Sequence, residues 1–270
     1  MAHNHGRRFP IDLYAFNSKL KYLNPDYKLI GSIVVLILTL VLNDVYVSLY
    51  IFLSMCFISV ILGGIGFWDY ISMLLTPLSF IILASLSIAL NFSAEPGGDF
   101  YIHLGNLYIF SSVSQLIRLF KLIIKVLTCV SIMQALILST MPYEIILSLK
   151  NMHLPKLIIE LMNLIYRFIF ILTEVHANMH DSALSRLGYR NLKASFMSFG
   201  NIASNILILA LKKANAYYTA MEARCFNGEL NFLQEDKILS ARQMAGAGFY
   251  ILSIFFIWIM HIKYIKGIGI

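Results

Sequence analysis

The chain has 270 residues, of which 59% are apolar and only 13% are charged, and its mean hydropathy is +0.76. A soluble globular protein carries roughly a quarter charged residues, so a soluble fold is excluded and lipid must solvate much of the surface. The formal net charge of +7 is typical of a multi-pass membrane protein with a large cytoplasmic surface. It therefore does not indicate nucleic-acid binding.

Apolar segments predict an all-α polytopic membrane protein with about five transmembrane helices. The first two segments are short and only Asn43-Asp44 separates them, so we extend both to their flanks as a helical hairpin, because a spanning helix needs about 20 residues. An acidic stretch rich in glycine and proline, 93–99, predicts an exposed loop after the third segment. The predicted spans are 29–42, 45–62, 70–92, about 111–138 and 245–262.

The distribution of Lys and Arg predicts the orientation of these spans. Basic residues are frequent in the N-terminal stretch 1–28 and in the region 139–242, and the loop 93–99 has none. The positive-inside rule therefore places the N-terminus in the cytoplasm, with Lys263 and Lys266 outside as exceptions. The predicted domains are a cytoplasmic N-terminal segment, four spans, a cytoplasmic lobe, and a last span with its tail: 1–28, 29–138, 139–242 and 243–270.

The lobe contains two long segments with a polar stripe along one helical face. Charged residues are costly at the bilayer centre, so we expect these helices to lie along the inner interface or to pack their stripes against protein. Pro142–Asn151 predicts a shorter helix before them, and Leu154-Pro155 predicts the start of the first long helix. The first stripe contains Lys156, Glu160, Asn163, Arg167, Glu174, Asn178 and Asp181. The second contains Asn201, Asn205, Lys212, Asn215, Thr219 and Glu222.

Each long helix is predicted to end at a small residue followed by arginine. The two motifs are Ser185-Arg186-Leu187-Gly188 and Ala223-Arg224-Cys225-Phe226-Asn227-Gly228. Gly188 and Gly228 are the predicted helix-ending residues, because glycine readily adopts the left-handed conformation that closes many helices.

These motifs resemble the two Ala-Arg-Gly signatures of the transmembrane coupling (T) component of energy-coupling factor (ECF) transporters, which are ABC-type importers. Leu187 and Cys225 stand where that family usually has glycine. Within the family, the chain is similar to the CbiQ type of cobalt and nickel importers. The matching stretches are Ile11-Asp12-Leu13-Tyr14-Ala15 through Pro25, Leu154-Pro155 through Glu160, Tyr166-Arg167, and Glu174.

The resemblance implies a non-catalytic subunit in the cell membrane of a prokaryote, with two kinds of partner. Two ATP-binding-cassette subunits would bind ATP and Mg²⁺, and a separate integral membrane protein would capture the substrate. The sequence contains no Gly-x4-Gly-Lys-Ser/Thr phosphate loop, so this chain is expected to bind no cofactor. We expect Arg186 and Arg224 each to enter an acidic groove of one ATPase subunit. The candidate coupling residues are Ser185, Arg186, Leu187, Ala223, Arg224 and Cys225.

Several alternatives stay open. Within the family, the chain could serve a vitamin-binding partner. Outside the family, it could itself be a stand-alone channel or carrier, or an intramembrane enzyme. The spans of this sequence lack the convergent polar or catalytic residues that the last two classes of protein need.

His176 and His180 lie one helical turn apart but lack the glutamate of a His-Glu-x-x-His motif, and His3 and His5 belong to a polar tail, so no metal site is predicted. Arg118, Lys121 and Lys125 share one face of an apolar helix, where they could pair with a partner subunit, line a polar seam or extend toward lipid headgroups.

Overall fold

A computed structural model describes residues 10–89, 91–93, 100–104, 107–111, 113–152, 154–226, 237 and 241–267. Long α-helices dominate these residues, and they confirm the all-α polytopic class. The helices are α1 (Pro10–Asn17), α2 (Pro25–Leu42), α3 (Val45–Phe57), α4 (Phe67–Ala89), α5 (Val113–Ser139), α6 (Pro142–Asn151), α7 (Lys156–Ser185), α8 (Leu192–Glu222) and α9 (Ala241–Gly267). A 3-10 turn, Lys19–Tyr22, precedes α2, and a π-turn, Ile58–Leu62, extends α3.

The link between α2 and α3 shows how the sequence fixes the helix ends. Asn43 adopts the left-handed conformation that stops α2, with φ of 45°. Asp44 then caps α3, because its side chain accepts a hydrogen bond from the Tyr46 backbone N–H at 2.9 Å. Two polar residues are therefore enough to reverse the chain between two apolar helices.

Four helices, α2, α3, α5 and α9, form the core of the first compact unit of the chain. Val35, Ile51, Ile132 and Ile254 contribute one buried side chain from each. Hydroxyl groups join the helices between the apolar layers: Tyr50 Oη lies 3.0 Å from Ser253 Oγ, and other hydroxyl contacts link α4 to α5 and α3 to α5. Interhelical hydrogen bonds of this kind are typical of helix packing in lipid, where the hydrophobic effect between helices is weak.

Polar contacts mark one end of this bundle, where α2 ends and α3 begins. The carboxylate of Asp44 contacts the imidazole of His261 near the end of α9. Lys125 of α5 donates to the carbonyl oxygen of Leu40 at 3.1 Å and to Asn43 Oδ1 at 2.9 Å. A cation at the last carbonyl groups of a helix is favourable because the helix dipole is negative there.

The segment between α4 and α5 contains a small antiparallel sheet, which is a correction to the sequence analysis. Its strands are β1 (Asn91–Ser93), β2 (Phe100–Leu104) and β3 (Leu107–Ser111), in the order β1-β3-β2. Phe92 pairs with Ile109, and Ile102 also pairs with Ile109 from the other side. The apolar run predicted to reach residue 92 therefore ends at Ala89, and the helix predicted from about residue 111 begins at Val113. Residues 94–99 of the predicted loop lie outside the described part.

Six described helices are long and apolar enough to cross a membrane, one more than predicted. Five correspond to the predicted spans. The sixth is α8, which the sequence analysis began at residue 201 and placed in the cytoplasmic lobe. It begins nine residues earlier, at Leu192, because the Asn191 side chain caps it by accepting a hydrogen bond from the Ala194 N–H at 2.8 Å.

The chain divides into two compact units. The first comprises residues 1–148 and 237–270, and the second comprises Leu149–Asp236. The second unit contains α7 and α8, and with them both arginine motifs.

Candidate functional site at the ends of two long helices

α7 begins where the sequence predicts. Pro155 precedes its first residue, and the Pro155 carbonyl oxygen accepts hydrogen bonds from the N–H groups of Ile158 and Ile159. Proline suits this position because its fixed φ is compatible with the helix and its missing N–H would have had no partner. The predicted polar stripe is thus carried on one continuous helix of 30 residues.

The first arginine motif forms a Schellman turn at the end of α7. The Gly188 N–H donates to the carbonyl oxygen of Ala183 at 2.8 Å, and the Leu187 N–H donates to that of Leu184 at 3.0 Å. This pair of nested hydrogen bonds requires a left-handed residue between them, and Leu187 has φ of 57°. Arg186 is thus the last residue before the chain turns away from the helix axis.

The second arginine motif repeats this geometry at the end of α8. The Phe226 N–H donates to the carbonyl oxygen of Met221 at 3.1 Å, and the Cys225 N–H donates to that of Glu222 at 3.0 Å. Cys225 is the left-handed residue, with φ of 61°. Arg224 therefore occupies the same position in its turn as Arg186 does in the first.

The left-handed positions fall on the residues that stand in place of the family's glycines. Among described non-glycine residues, positive φ occurs only at Asn43, Leu187 and Cys225. The chain thus keeps the backbone turn without glycine in its usual place. The turn comes one residue before Gly188, whose N–H closes the outer hydrogen bond; Gly228 lies outside the described residues.

Contacts between α7 and α8 show that the two helices are antiparallel. Near one end, Ser198 Oγ of α8 donates to the carbonyl oxygen of Gly188 at 2.8 Å. Near the other, Arg167 of α7 donates to Tyr217 Oη of α8 at 2.6 Å, and the rings of Phe168 and Tyr217 pack edge to face. We call this pair the α7–α8 hairpin.

The two arginines consequently lie at opposite ends of the α7–α8 hairpin. Arg186 ends α7 shortly before α8 begins, and Arg224 follows the last residue of α8. Since α8 has 31 residues, a rise of 1.5 Å per residue separates its ends by about 46 Å. One small binding surface cannot contact both arginines.

Both arginine side chains are exposed. Neither has an ion-pair or hydrogen-bond partner for its guanidinium among the residues that the structure describes. A guanidinium has five donors in a planar fork, which suits a carboxylate or the carbonyl groups at the end of a helix. Chemically, each hairpin end offers a permanently charged donor to an acidic surface.

The polar stripes of the two helices approach each other beside Arg186. A groove of about 720 Å³ separates α7 from α8 there. Its lining includes Asn178 from the first predicted stripe and Asn201 and Asn205 from the second. The stripes therefore face each other across this part of the hairpin.

The other candidate residues from the sequence are placed as follows. His176 and His180 stack with ring centroids 6.0 Å apart, and the described residues contain no group of three His, Cys, Asp or Glu side chains that could hold a metal ion. His3 and His5 lie outside the described residues. Arg118 and Lys121 are exposed, whereas Lys125 caps the end of α2.

One cluster of charges was missed by the sequence analysis. Glu144 of α6 is buried, with a 3% exposed fraction, and contacts Lys28 and Lys237. In the sequence Glu144 looks like an ordinary acidic residue in the first turn of a helix. Its partners are 116 and 93 positions away, so local spacing gave no signal of the cluster.

The fold defines a multi-pass membrane protein, to which the arginine-tipped hairpin adds an amphipathic helical unit. A family model described as "CbiQ: Cobalt transport protein" matches residues 16–233. The chain belongs to this cobalt transport protein family, which confirms the resemblance seen in the sequence.

Three similar proteins illustrate the family. The "Cobalt transport protein CbiQ" of Salmonella typhimurium is 22% identical over 82% of this chain and 98% of its own length. An uncharacterised protein of Methanocaldococcus jannaschii is 28% identical over 83% of each chain. The "Putative fused cobalt transport protein CbiMQ" of Methanocorpusculum labreanum is 26% identical over 84% of this chain, which matches only 38% of the fused protein.

Proposed function

We propose that this chain is the energy-coupling transmembrane subunit of an ECF-type importer for cobalt or nickel ions. It transmits the motion of two ATPase subunits to a separate substrate-binding membrane protein. The observation that carries the proposal is the pair of matching Schellman turns, which present Arg186 and Arg224 at opposite ends of one hairpin. Each ATPase subunit binds one arginine through an acidic groove and itself supplies the ATP and Mg²⁺ sites.

The path of the chain supports a cytoplasmic position for both arginines. Glu144, just before the chain leaves the first unit, contacts Lys237, where the chain returns to it. The chain thus leaves the first unit and returns to it at the same end of the helical bundle. The number of membrane crossings between Glu144 and Lys237 is therefore even. α8 therefore cannot be the only helix of the second unit that crosses the membrane, although its composition is apolar enough for a crossing.

The charges of α7 favour an arrangement in which neither α7 nor α8 crosses the membrane over one in which both do. If α8 crossed, α7 would have to cross with it, because an even number is required. α7 is absent from the candidate spans and carries charged residues along its whole length, which a bilayer centre disfavours. Both helices therefore lie on the cytoplasmic side with the N-terminus. The charged residues of α7 are Lys156, Glu160, Arg167, Glu174 and Asp181.

The names of the relatives support the proposed substrate. Proteins named for cobalt transport match most of this chain, and one of them is a fusion in which this chain corresponds to 38% of the length. The remainder of that fusion is consistent with a substrate-binding partner joined to a chain of this kind. A subunit that couples energy need not contact the ion, so the choice between cobalt and nickel rests with the partner.

Purification of the chain with its native partners, followed by ATP-driven uptake of Co²⁺ and Ni²⁺ in proteoliposomes, tests this function. Arg224→Glu should abolish uptake and weaken co-purification of the ATPase subunits, because the reversed charge repels an acidic groove. Lys212→Glu is the matched control: it makes the same charge change on an exposed residue of α8, away from both ends. It should leave co-purification intact.

Three results would contradict the proposal. Full transport by the Arg224→Glu variant would show that the arginine end is not a docking point. Co-purification of a vitamin-binding membrane protein, with uptake of that vitamin and not of metal ions, would assign the chain to a different substrate group. Transport by the chain alone, without ATP, would identify it as a carrier or channel.

A further inference from the structure

The two connections between the units meet at one buried carboxylate. Glu144 is the third residue of α6, where the chain leads toward the second unit, and Lys237 is where it returns. One oxygen of the Glu144 carboxylate contacts Lys237 Nζ, and the other lies 3.8 Å from Lys28 Nζ at the start of α2. We call these three residues the ionic clasp.

Additional hydrogen bonds to backbone carbonyl groups hold the two lysines of the ionic clasp in place. Lys28 Nζ donates to the carbonyl oxygen of Ser139, the last residue of α5, at 2.8 Å. Lys237 Nζ donates to the carbonyl oxygen of Lys21, and Asn24 Nδ2 donates to the carbonyl oxygen of Lys237. The clasp therefore joins both connections to the start of α2 and the end of α5.

Burial of the charged groups indicates that the ionic clasp has a role beyond general stability. The exposed fractions of the Glu144 and Lys28 side chains are 4% and 7%. A buried carboxylate is costly to desolvate unless it is paired and hydrogen-bonded, and replacing a buried ion pair by apolar residues is often neutral for stability. General stability is thus a weak explanation for charges at this position, and a requirement for one fixed geometry explains them better.

We propose that the ionic clasp is a positioning device for energy coupling. It holds the connections at residues 139–148 and 237 against the bundle. Motion of the α7–α8 hairpin then moves α2 and α5, because the connections cannot flex independently of them. This inference rests on the proposed coupling function. Glu144 and Lys237 are thus positioning residues for the two connections.

Two variants test the clasp in the purified complex with its native partners. Glu144→Gln removes the central charge, whereas Lys237→Met is milder, because Glu144 keeps Lys28 as its partner. Both should retain the ATPase subunits, since the arginine ends are intact, and both should lower the amount of ion imported per ATP hydrolysed by roughly tenfold. The matched control is Lys150→Met, an exposed lysine of the same helix, which should behave as the wild type.

Hydrogen exchange on the purified full chain gives a second readout that needs no partner. In Lys237→Met, amide hydrogens at 19–28 and 139–148 should exchange faster than in the wild type, and those at 200–220 should be unchanged. Unchanged exchange in the first two segments, or wild-type import per ATP, would overturn the inference. Failure of the proposed function is distinguishable, because the wild-type chain would then bind no ATPase subunit.

Discussion

At Leu187 and Cys225 the backbone adopts a conformation that side chains with a Cβ atom disfavour. The left-handed conformation costs such a residue about 1–2 kcal/mol relative to the right-handed one. Leu187 is also 68% exposed, so burial of its side chain offsets little of this cost. The left-handed conformation therefore occurs at two equivalent positions, and in both cases the residue directly follows the arginine.

Glycine at these positions should therefore stabilise the second unit. Leu187→Gly and Cys225→Gly should each raise the stability by about 1 kcal/mol, because glycine adopts positive φ without a steric penalty. Thermal unfolding of the purified protein in detergent measures the change. Leu184→Gly, three residues earlier and inside α7, is the control and should destabilise by about as much. Equal destabilisation by all three would show that the turns do not carry strain.

At the scale of elements, the α7–α8 hairpin depends on close contact near its turn. A Cβ atom on Gly188 would lie 2.5 Å from Ser198 Oγ and 2.9 Å from the carbonyl oxygen of Ala183. Both atoms take part in the contacts that end α7 and hold α8 against it. Gly188 is thus required for close approach, although its own φ is not positive.

Two glycine-to-alanine substitutions separate this packing role from ordinary helix propensity. Gly188→Ala should destabilise the hairpin by about 1–3 kcal/mol, because the neighbouring backbone has to move. Gly200→Ala, inside α8 with nothing within 4 Å of the added Cβ, should be neutral or stabilise by about 0.5–1 kcal/mol. Limited proteolysis within 186–192 reports opening of the hairpin. Similar protease resistance of both variants would contradict the assigned contact.

The elements also show how far sequence reasoning extends. Helix starts with a local signal were predictable, as at Pro142 and Pro155, because capping and proline chemistry act within a few residues. The start of α8 at Asn191 had such a signal but was missed. The small sheet was missed as well, although Gly105-Asn106 separates two runs of strand-forming residues, a hairpin pattern.

Other parts of the site could not be read from one sequence. The left-handed conformation of Leu187 is set by the hydrogen bonds of Gly188 and by the packing of Ser198, which local propensity does not contain. The ionic clasp joins residues that are far apart in the chain, and each looks ordinary in its own segment. Sequence spacing indicates which side chains share a helix face, but not which helices meet.

At the scale of the whole molecule, membrane topology is the point that most constrains the mechanism. An apolar helix of 31 residues ends in an arginine motif, and composition alone would let it cross the bilayer. The contact between Glu144 and Lys237 argues against a single crossing by α8, because it brings the exit and the return of the chain to one end of the bundle. The charges of α7 argue against two crossings.

Labelling with a membrane-impermeant maleimide tests the topology. One variant retains only Cys225, with Cys56 and Cys129 replaced by alanine; a second carries Arg190→Cys in a background without native cysteines. Both thiols should react in inside-out vesicles and not in right-side-out vesicles, because the proposed topology places both ends of α8 on the cytoplasmic side. Lys121→Cys, exposed near Asn43 at the opposite end of the bundle, is the control with the reverse pattern. Labelling of Cys225 and Arg190→Cys from opposite sides would show that α8 spans the membrane.

The length of α8 has a mechanical consequence. Since Arg186 lies beside the start of this helix and Arg224 lies at its end, the proposed function makes the helix a rigid connection between two docking points. An α-helix does not shorten under modest load, because every turn is held by backbone hydrogen bonds. In the proposed importer, two ATPase subunits that approach each other therefore cannot shorten this helix, and have to pivot about its ends. The stroke delivered to the membrane is then a rotation, whose lever arm is the length of α8.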